Sequence, residues 1–227
     1  MNTDKIFEFQ AIGHIYNDYT EKFGIPRQSG LNQALLSRIV MEPKYRVREA
    51  FRGIEAYSHL WLIWEFSEVP AEAPFSPTVR PPRLGGNARL GVFATRSPFR
   101  PNRLGLSCVE LIRVEESPEG PMLLVAGADL MNGTPIYDIK PYLPYADAYP
   151  EARVNEALAR PRLEVMIPEE IAAQIPAEKL PALTELLALD PRPAYQEDPE
   201  RVYGIKFGAM NIKFRVEQGV LQLVEMA

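Results

Sequence analysis

The chain has 227 residues, of which 46% are apolar and 24% charged, and its net charge at pH 7 is −5. This length and composition support one large or two small folded domains and exclude a disordered, collagen-like or fibrous chain. The single cysteine, Cys108, excludes an internal disulfide framework and a cysteine zinc site, so we expect a cytoplasmic protein without a metal. No run of about 18 apolar residues is present and the polar start does not resemble a signal peptide, so we expect no membrane segment.

Short runs of β-branched and aromatic residues, separated by Gly, Pro and Asn, dominate residues 1–150. Helical signal is thin here, and a short helix over residues 44–57 would be interrupted by Gly53. Strands spaced by about ten residues favour a closed or nearly closed barrel, because closure removes exposed edges. The predicted strands are Phe7–Ile15, His59–Phe66, Leu90–Ala94, Leu104–Val114, Met122–Ala126 and Ile136–Ile139.

The composition changes near residue 150, where Ala, Glu and Leu become frequent. Ala177–Leu189 has leucines at the spacing of an amphipathic helix, and Pro181 limits where that helix can begin. Strand-like alternation returns at Val202–Phe207, Ile212–Val216 and Val220–Val224. We therefore predict a mainly β chain, with a β-barrel N-terminal domain over residues 1–150 and a small α+β C-terminal domain over residues 151–227.

A loop rich in arginine and proline spans residues 74–103. No acidic residue lies between Glu72 and Glu110, and the six arginines there give this segment a charge of +6. Because the net charge is −5, the rest of the chain carries −11. Prolines stiffen the loop, and guanidinium groups bind carboxylates or phosphates through two hydrogen bonds, so the pattern indicates an anion site. The alternative for any single arginine is a surface ion pair with an acid elsewhere. The six are Arg80, Arg83, Arg89, Arg96, Arg100 and Arg103.

A second cluster of candidate residues spans residues 127–145 and follows a predicted strand. Asp129 precedes an Asn132-Gly133 turn, and such a turn can offer a carboxylate to ribose hydroxyls and backbone groups to a base. Asn-Gly is also the strongest short hairpin signal, so a plain hairpin turn is the alternative.

Asp138, Lys140 and Tyr142 alternate along the next strand and are expected on one face of it. An acid, a base and a phenol on one face form either a site or an exposed salt bridge. The two histidines and one cysteine of the chain provide neither a metal cluster nor a nucleophile with its base. The chain also lacks a glycine-rich phosphate loop followed by a helix, which leaves a Rossmann site unsupported.

Several long blocks of the sequence resemble one known family. They are Pro26-Arg27-Gln28, Gly53-Ile-Glu-Ala-Tyr-Ser-His-Leu-Trp, Arg80-Pro-Pro-Arg-Leu-Gly-Gly-Asn, Gly91-Val-Phe-Ala-Thr-Arg-Ser-Pro-Phe-Arg-Pro-Asn and Asp129-Leu-Met-Asn-Gly-Thr-Pro-Ile-Tyr-Asp-Ile-Lys-Pro-Tyr. In this order they resemble the TrmO family of tRNA (adenine-N6)-methyltransferases, and Leu189-Asp-Pro-Arg-Pro-Ala-Tyr extends the resemblance into the C-terminal part. Two departures are Arg103-Leu104, where many members carry Pro-Ile, and Ser67, where some carry histidine.

The resemblance implies a β-barrel methyltransferase that works as a homodimer, with S-adenosylmethionine bound near the subunit interface. The implied substrate is the N6-threonylcarbamoyladenosine next to the anticodon of a threonine tRNA, recognised through the anticodon stem-loop. Methyl transfer is an in-line displacement that needs positioning and no nucleophilic side chain, which agrees with the absence of a nucleophile motif. The alternative is a barrel that senses S-adenosylmethionine or binds RNA without catalysis.

Site residues follow from the resemblance and from the shared-face spacing. Matching the family motifs implies cofactor contacts at Pro26, Arg27, Gln28, Phe66, Ser67, Arg96, Leu106, Asp129, Leu130, Met131, Asn132 and Gly133. Asp138 or Tyr142 is the expected group that orients the substrate amino group or receives its proton. The expected RNA contacts are Arg80, Arg83, Arg100, Arg103 and Lys140.

Overall fold

The computed structural model describes residues 8–70, 72, 74–81, 88–153, 162–192 and 198–227. The strands before residue 150 are β1 (Gly13–Tyr16), β2 (Leu36–Met41), β3 (His59–Glu65), β4 (Thr78–Val79), β5 (Leu90–Gly91), β6 (Leu104–Ser117), β7 (Gly120–Ala126) and β8 (Pro135–Pro141). The strands after it are β9 (Glu164–Met166), β10 (Tyr203–Phe207), β11 (Met210–Glu217) and β12 (Val220–Met226). The α-helices are α1 (Pro144–Asp147), α2 (Glu169–Ala172) and α3 (Leu180–Ala188). The prediction of a mainly β chain is confirmed.

The first sheet has the order β1-β2-β7-β6-β3-β8, and β1 pairs with both β2 and β8, so the pairings form a ring. β3 illustrates why these residues form strands: its burial alternates residue by residue, with Leu60, Leu62 and Trp64 inside. The core of this sheet is built from such inward side chains, including Ile15, Ile39, Leu123 and Ile136.

Three local predictions in this part are wrong. The predicted strand Phe7–Ile15 begins only at Gly13, as β1, and Phe7 itself lies outside the described residues. Residues 44–57 form three short 3₁₀ turns rather than one helix, because Pro43 opens the first turn and Gly53 has a φ of 85°, which a helix does not accommodate. Leu90–Ala94 forms a two-residue strand, β5, followed by a 3₁₀ turn at Val92–Ala94. The strands β2 and β4 are absent from the predicted set.

The C-terminal sheet has the order β10-β11-β12-β9. Its strands β10 to β12 are antiparallel neighbours, whereas β9 pairs with β12 in parallel. Helix α3 buries Leu183 and Leu187 against Phe207, Phe214 and other inward residues of this sheet. The predicted helix therefore exists but begins at Leu180, with Pro181 in its first turn, where the missing N–H costs nothing.

Residues 17–35 join β1 to β2 of the first sheet but pack against the C-terminal unit. Tyr19 and Leu35 belong to the core under α3, although the strands on either side of them lie in the first sheet. Asn32 is buried, and its Nδ2 donates to the Ala182 carbonyl at 2.9 Å and to the Tyr19 hydroxyl at 2.8 Å. Glu185 accepts from the Ala34 N–H at 3.1 Å. The C-terminal unit thus holds the segment that leads into and out of residues 26–30.

Among the described residues, no helix has both the length and the apolar character needed to cross a membrane.

Candidate functional site

Asp129 lies just beyond β7, and a row of side chains from the first sheet fixes its carboxylate. The Ser107 hydroxyl donates to Asp129 Oδ1 at 2.5 Å, and Trp64 Nε1 donates to the same Ser107 oxygen at 2.9 Å. Gly105 makes room for this indole, since a Cβ at that position would lie 2.2 Å from Trp64 Cε2. The row from Trp64 through Ser107 to Asp129 leaves the carboxylate little freedom to rotate.

The segment Pro26–Gly30 lies against this row. The Gly30 N–H donates to the Gly127 carbonyl at 2.8 Å, and Ser29 Oγ accepts from the Cys108 N–H at 3.1 Å. The Ser29 backbone lies close enough to the Asp129 carboxylate to lower the pKa of that group. Hydrogen bonds from two chain segments therefore place Gln28 and its neighbours next to Asp129.

Arg96 crosses from the arginine-rich loop to this segment. Its guanidinium donates to Gln28 Oε1, and Gln28 Nε2 in turn donates to the Arg27 carbonyl. Burial raises the pKa of the Asp129 carboxyl, while the hydrogen bond from Ser107 and the positive charge of Arg96 oppose that rise. The result is a partly buried carboxylate beside an exposed guanidinium, two groups of opposite charge at one end of the strands of the first sheet.

Three further residues expected at the cofactor occupy the adjoining strand ends. Phe66 packs its ring against the Trp64 indole with 4.4 Å between centroids, and its N–H donates to the Arg103 carbonyl at 2.9 Å. Ser67 is exposed just after it. Leu106 is 57% exposed on the outer face of β6, the face opposite to that of Ser107.

The turn at residues 130–133 is held by residues 15–19 rather than by a hairpin partner. Asn132 Oδ1 accepts from the Asn17 N–H at 3.0 Å, and the Gly133 N–H donates to the Ile15 carbonyl at 2.7 Å. The hairpin interpretation is wrong, because β7 and β8 pair with other strands. Leu130 is 1% exposed, so only its backbone is available, while Met131 is half-buried.

Asp138 and Lys140 share the outer face of β8 and form an ion pair at 2.9 Å. Ile63 is paired with Asp138 on one side and with Leu106 on the other, which places all three on one face of the sheet. Tyr142 lies beyond the far end of β8, against Trp61, with 5.7 Å between ring centroids. A strand of that length separates it by about 20 Å from the start of β8, where the Asp129 turn joins.

The arginines of the loop fall into exposed and half-buried sets. Arg80 is exposed, as is Arg96, and Arg83 lies outside the described residues. Arg100 donates to the Thr95 carbonyl at 2.7 Å. Arg103 donates to the Val69 carbonyl at 2.7 Å and pairs with Glu65 at 2.9 Å. The guanidinium groups of Arg100 and Arg103 therefore already stabilise the loop itself.

Sequence reasoning missed Ser29, Trp64 and Ser107 as parts of the site. Ser107 carries a signal that was available: it is a polar residue at an inward position of a strand whose other inward side chains are apolar. Buried hydroxyls need partners, so such a serine indicates a polar group nearby. Ser29 has no comparable signal, because its contacts depend on the path of a loop.

The described residues contain no group of three His, Cys, Asp or Glu side chains arranged to hold a metal ion. The fold and the cluster around Asp129 and Arg96 together define a mainly β protein with a site of mixed charge at one end of the strands of its larger sheet. Two family models match the chain: the tRNA-methyltransferase O N-terminal domain over residues 14–148 and the TrmO C-terminal domain over residues 160–227. The chain belongs to the tRNA-methyltransferase O family and is an enzyme of that family.

Individual relatives agree with this membership. The chain is 43% identical over 220 residues to a tRNA (adenine(37)-N6)-methyltransferase of Escherichia coli K12, with 92% of this chain and 93% of the relative covered. It is 42% identical over 212 residues to a putative S-adenosylmethionine-dependent methyltransferase of Pseudomonas aeruginosa, with 88% and 89% covered. A crystal structure of TrmO from P. aeruginosa matches with a TM-score of 0.81 at 31% identity, covering 100% of this chain and 99% of that one.

Proposed function

We propose that this protein transfers a methyl group from S-adenosylmethionine to N6 of the adenosine at position 37, next to the anticodon, of a tRNA. The names of its relatives support the reaction and the cofactor. We further propose that the substrate is N6-threonylcarbamoyladenosine in a threonine tRNA, which rests on the family resemblance of the motifs. The single observation that carries the proposal is the cluster of Gln28, Arg96 and Asp129 in a chain of this family.

The chemistry of this cluster fits S-adenosylmethionine. A carboxylate such as that of Asp129 accepts hydrogen bonds from the two ribose hydroxyls, and the guanidinium of Arg96 matches the carboxylate of the methionine part. Phe66, which packs on Trp64, offers apolar surface to the adenine ring, whereas Leu106 on the outer face of β6 would contact the cofactor across the proposed dimer interface. Pro26, Arg27, Ser67 and the turn at residues 130–133 complete the proposed cofactor contacts.

Bound S-adenosylmethionine supplies the methyl group: the N6–C bond forms as the C–S bond breaks, the electron pair stays on sulfur, and N6 releases a proton. We propose Asp138 as the residue that receives this proton, because it shares a sheet face with Leu106. Its ion pair with Lys140 holds the carboxylate in one orientation. Tyr142, the other candidate, lies about 13 Å further along the strand direction than Asp138.

The tRNA would bind along the exposed cations of the loop and of β8. Phosphates supply most of the affinity in such complexes, and single-stranded loop bases can be splayed out into a pocket. The proposed contacts are Arg80, Arg83, Arg100, Arg103 and Lys140. We expect the exposed Arg80 to meet phosphate directly. Lys140, Arg100 and Arg103 already have partners in the chain and would contribute with their remaining N–H groups.

We also propose that the first sheet forms a β-barrel and that the protein acts as a homodimer in the cytoplasm, with residues 1–150 and 151–227 as its two domains. The ring of strand pairings supports the barrel. Exposed apolar side chains on the first sheet support a partner surface: Tyr16, Leu36, Leu106 and Ile112. Multi-angle light scattering at two protein concentrations tests the dimer.

The function is tested by transfer of labelled methyl from S-adenosylmethionine to total tRNA from cells that lack this gene. Transfer to tRNA that lacks the threonylcarbamoyl group is the comparison. We expect label only in the tRNA that carries this group. Label in neither sample, with cofactor binding intact by calorimetry, would favour a sensor instead. Asp138→Asn should lower kcat without changing cofactor affinity, whereas a loss in Tyr142→Phe alone would assign the proton to Tyr142.

A further inference from the structure

The arginine-rich loop carries three phenylalanines that are largely exposed. Phe75 is 61% exposed, Phe99 is 57% exposed and Phe93 is 76% exposed. Large apolar side chains left in water forfeit the stabilisation that burial would bring. Two of the three, Phe75 and Phe99, line one small cavity of about 90 Å³, while Phe93 does not.

The walls of this cavity combine apolar side chains with two arginines, and these arginines are held in place. Pro70, Pro74 and Pro101 line it beside the two phenylalanines, so several of its backbone torsions are fixed. Arg103 is tied to the Val69 carbonyl and to Glu65, and Arg100 is tied to the Thr95 carbonyl. The cavity therefore needs little rearrangement to receive a ligand.

Charge distinguishes the ligands that such a cavity fits. Arg100 and Arg103 line the cavity and its described lining includes no acidic side chain, although Glu65 pairs with Arg103, so the local field is positive mainly through Arg100. An uncharged apolar partner gains nothing from that field, whereas a planar base attached to a phosphate uses both the aromatic surface and the cations. The cavity is too small to enclose a base, so it would cover one face of a base by stacking.

The cavity adjoins the proposed cofactor site. Arg103 lines it, and the carbonyl of the same residue accepts from the N–H of Phe66, whose ring packs on Trp64. Trp64 donates to Ser107, which donates to Asp129. A base stacked in the cavity would consequently belong to a nucleotide close in sequence to the one that is methylated.

We propose that Phe75 and Phe99 form a stacking site for an unpaired RNA base that flanks the target adenosine in the anticodon loop. The proposal rests on the proposed function and adds to it a subsite that reads the shape of the loop. Its role is to hold the loop open, so that the target base leaves the stack while its neighbour remains covered.

The test compares Phe99→Ala and Phe75→Ala with Phe93→Ala, a matched control on the same loop that does not line the cavity. We expect the first two to raise KM for tRNA, or Kd for a labelled anticodon stem-loop, by about 5- to 150-fold, the range that base–aromatic stacking gives. Phe93→Ala should leave both constants near wild type. Phe99→Trp should restore binding and Phe99→Leu should not, because leucine keeps the apolar volume without the aromatic face.

Two controls separate this inference from the proposed function and from misfolding. Cofactor affinity and the unfolding midpoint should match wild type in every variant. A stem-loop with an abasic nucleotide next to the target should bind wild type and Phe99→Ala equally. If the wild-type enzyme methylates tRNA and Phe99→Ala behaves as Phe93→Ala does, the stacking site is overturned while the proposed function stands; absence of methylation by wild type would overturn the function itself.

Discussion

Arg96 and Arg103 lie on the same loop, yet they are held in opposite ways. Arg96 is exposed, and its guanidinium contacts a neutral acceptor, the side-chain amide of Gln28. Arg103 is half-buried, and its guanidinium binds the carboxylate of Glu65 and the carbonyl of Val69. An incoming anion can replace a surface amide at little cost. Removing Arg103 leaves the partly buried Glu65 carboxylate without its cationic partner, although the Tyr137 hydroxyl still donates to it. Arginines of the same loop can therefore either be available to bind a ligand or stabilise the folded chain.

The largest effect that this comparison predicts is on stability at Arg103. Arg103→Ala should lower the free energy of unfolding by about 2 kcal/mol, because Glu65 loses a charged hydrogen-bond partner. Urea denaturation measures the change. Arg103→Gly is the matched variant: φ at this position is 45°, which glycine adopts without strain, so it should be less destabilising than alanine. An Arg103→Ala protein with the wild-type urea midpoint would contradict the claim that Arg103 stabilises the fold.

The second effect is on cofactor binding at Arg96. Arg96→Ala should weaken S-adenosylmethionine binding about tenfold, as expected for loss of one charge-assisted hydrogen bond, while the urea midpoint stays near wild type. Calorimetric titration measures the affinity. Arg96→Lys should recover only part of it, since an ammonium cannot form the paired hydrogen bonds of a guanidinium. A destabilised Arg96→Ala protein would instead give Arg96 the role assigned to Arg103.

A smaller effect concerns pH and Asp129, the carboxylate beside Arg96. Burial raises the pKa of this carboxyl, so protonation in the folded state begins at a pH where an ordinary aspartate, with a pKa of about 4, is still ionised. Cofactor affinity should fall as pH drops through that raised pKa, because a protonated carboxyl accepts fewer hydrogen bonds. The apo fold changes in the opposite sense and gains stability relative to the unfolded chain over the same drop. Titrations at several pH values should show this fall in wild type and lack it in Asp129→Asn.

The smallest effect is on the salt dependence of RNA binding. Arg80→Ala, which removes an exposed cation, should weaken binding of the anticodon stem-loop a few-fold and reduce the slope of log K against log salt by about 1. Fluorescence anisotropy at several salt concentrations measures both. An unchanged slope would mean that Arg80 meets no phosphate.

Elements whose order comes from local pattern were predictable from the sequence. The alternation along His59–Glu65 predicted β3 to within one residue, and the leucine spacing predicted α3. β9 was missed because it is short and is defined by parallel pairing with β12, a contact between distant parts of the chain. The same reason applies to the Asn132-Gly133 turn, whose hydrogen-bond partners lie in residues 15–19.

The site shows the same division between local and distant information. Arg96 and Asp129 were identified by motif resemblance, but the motif does not reveal that Ser107 and Trp64 hold the carboxylate. Nor does the arginine count distinguish Arg96 from Arg103, since their roles depend on which acceptors the folded chain brings close. Residue types indicated the chemistry, and the tertiary contacts decide which side chains are available for it.

The most direct test of the account is calorimetric titration of S-adenosylmethionine into wild type, Asp129→Asn and Arg103→Gly, with urea unfolding of the same preparations. Asp129→Asn keeps an oxygen for the Ser107 hydroxyl but loses the charge. We predict at least about tenfold weaker binding in Asp129→Asn with an unfolding midpoint near wild type, and a lowered midpoint with nearly unchanged affinity in Arg103→Gly. Wild-type affinity in Asp129→Asn would contradict the assignment of the cofactor site.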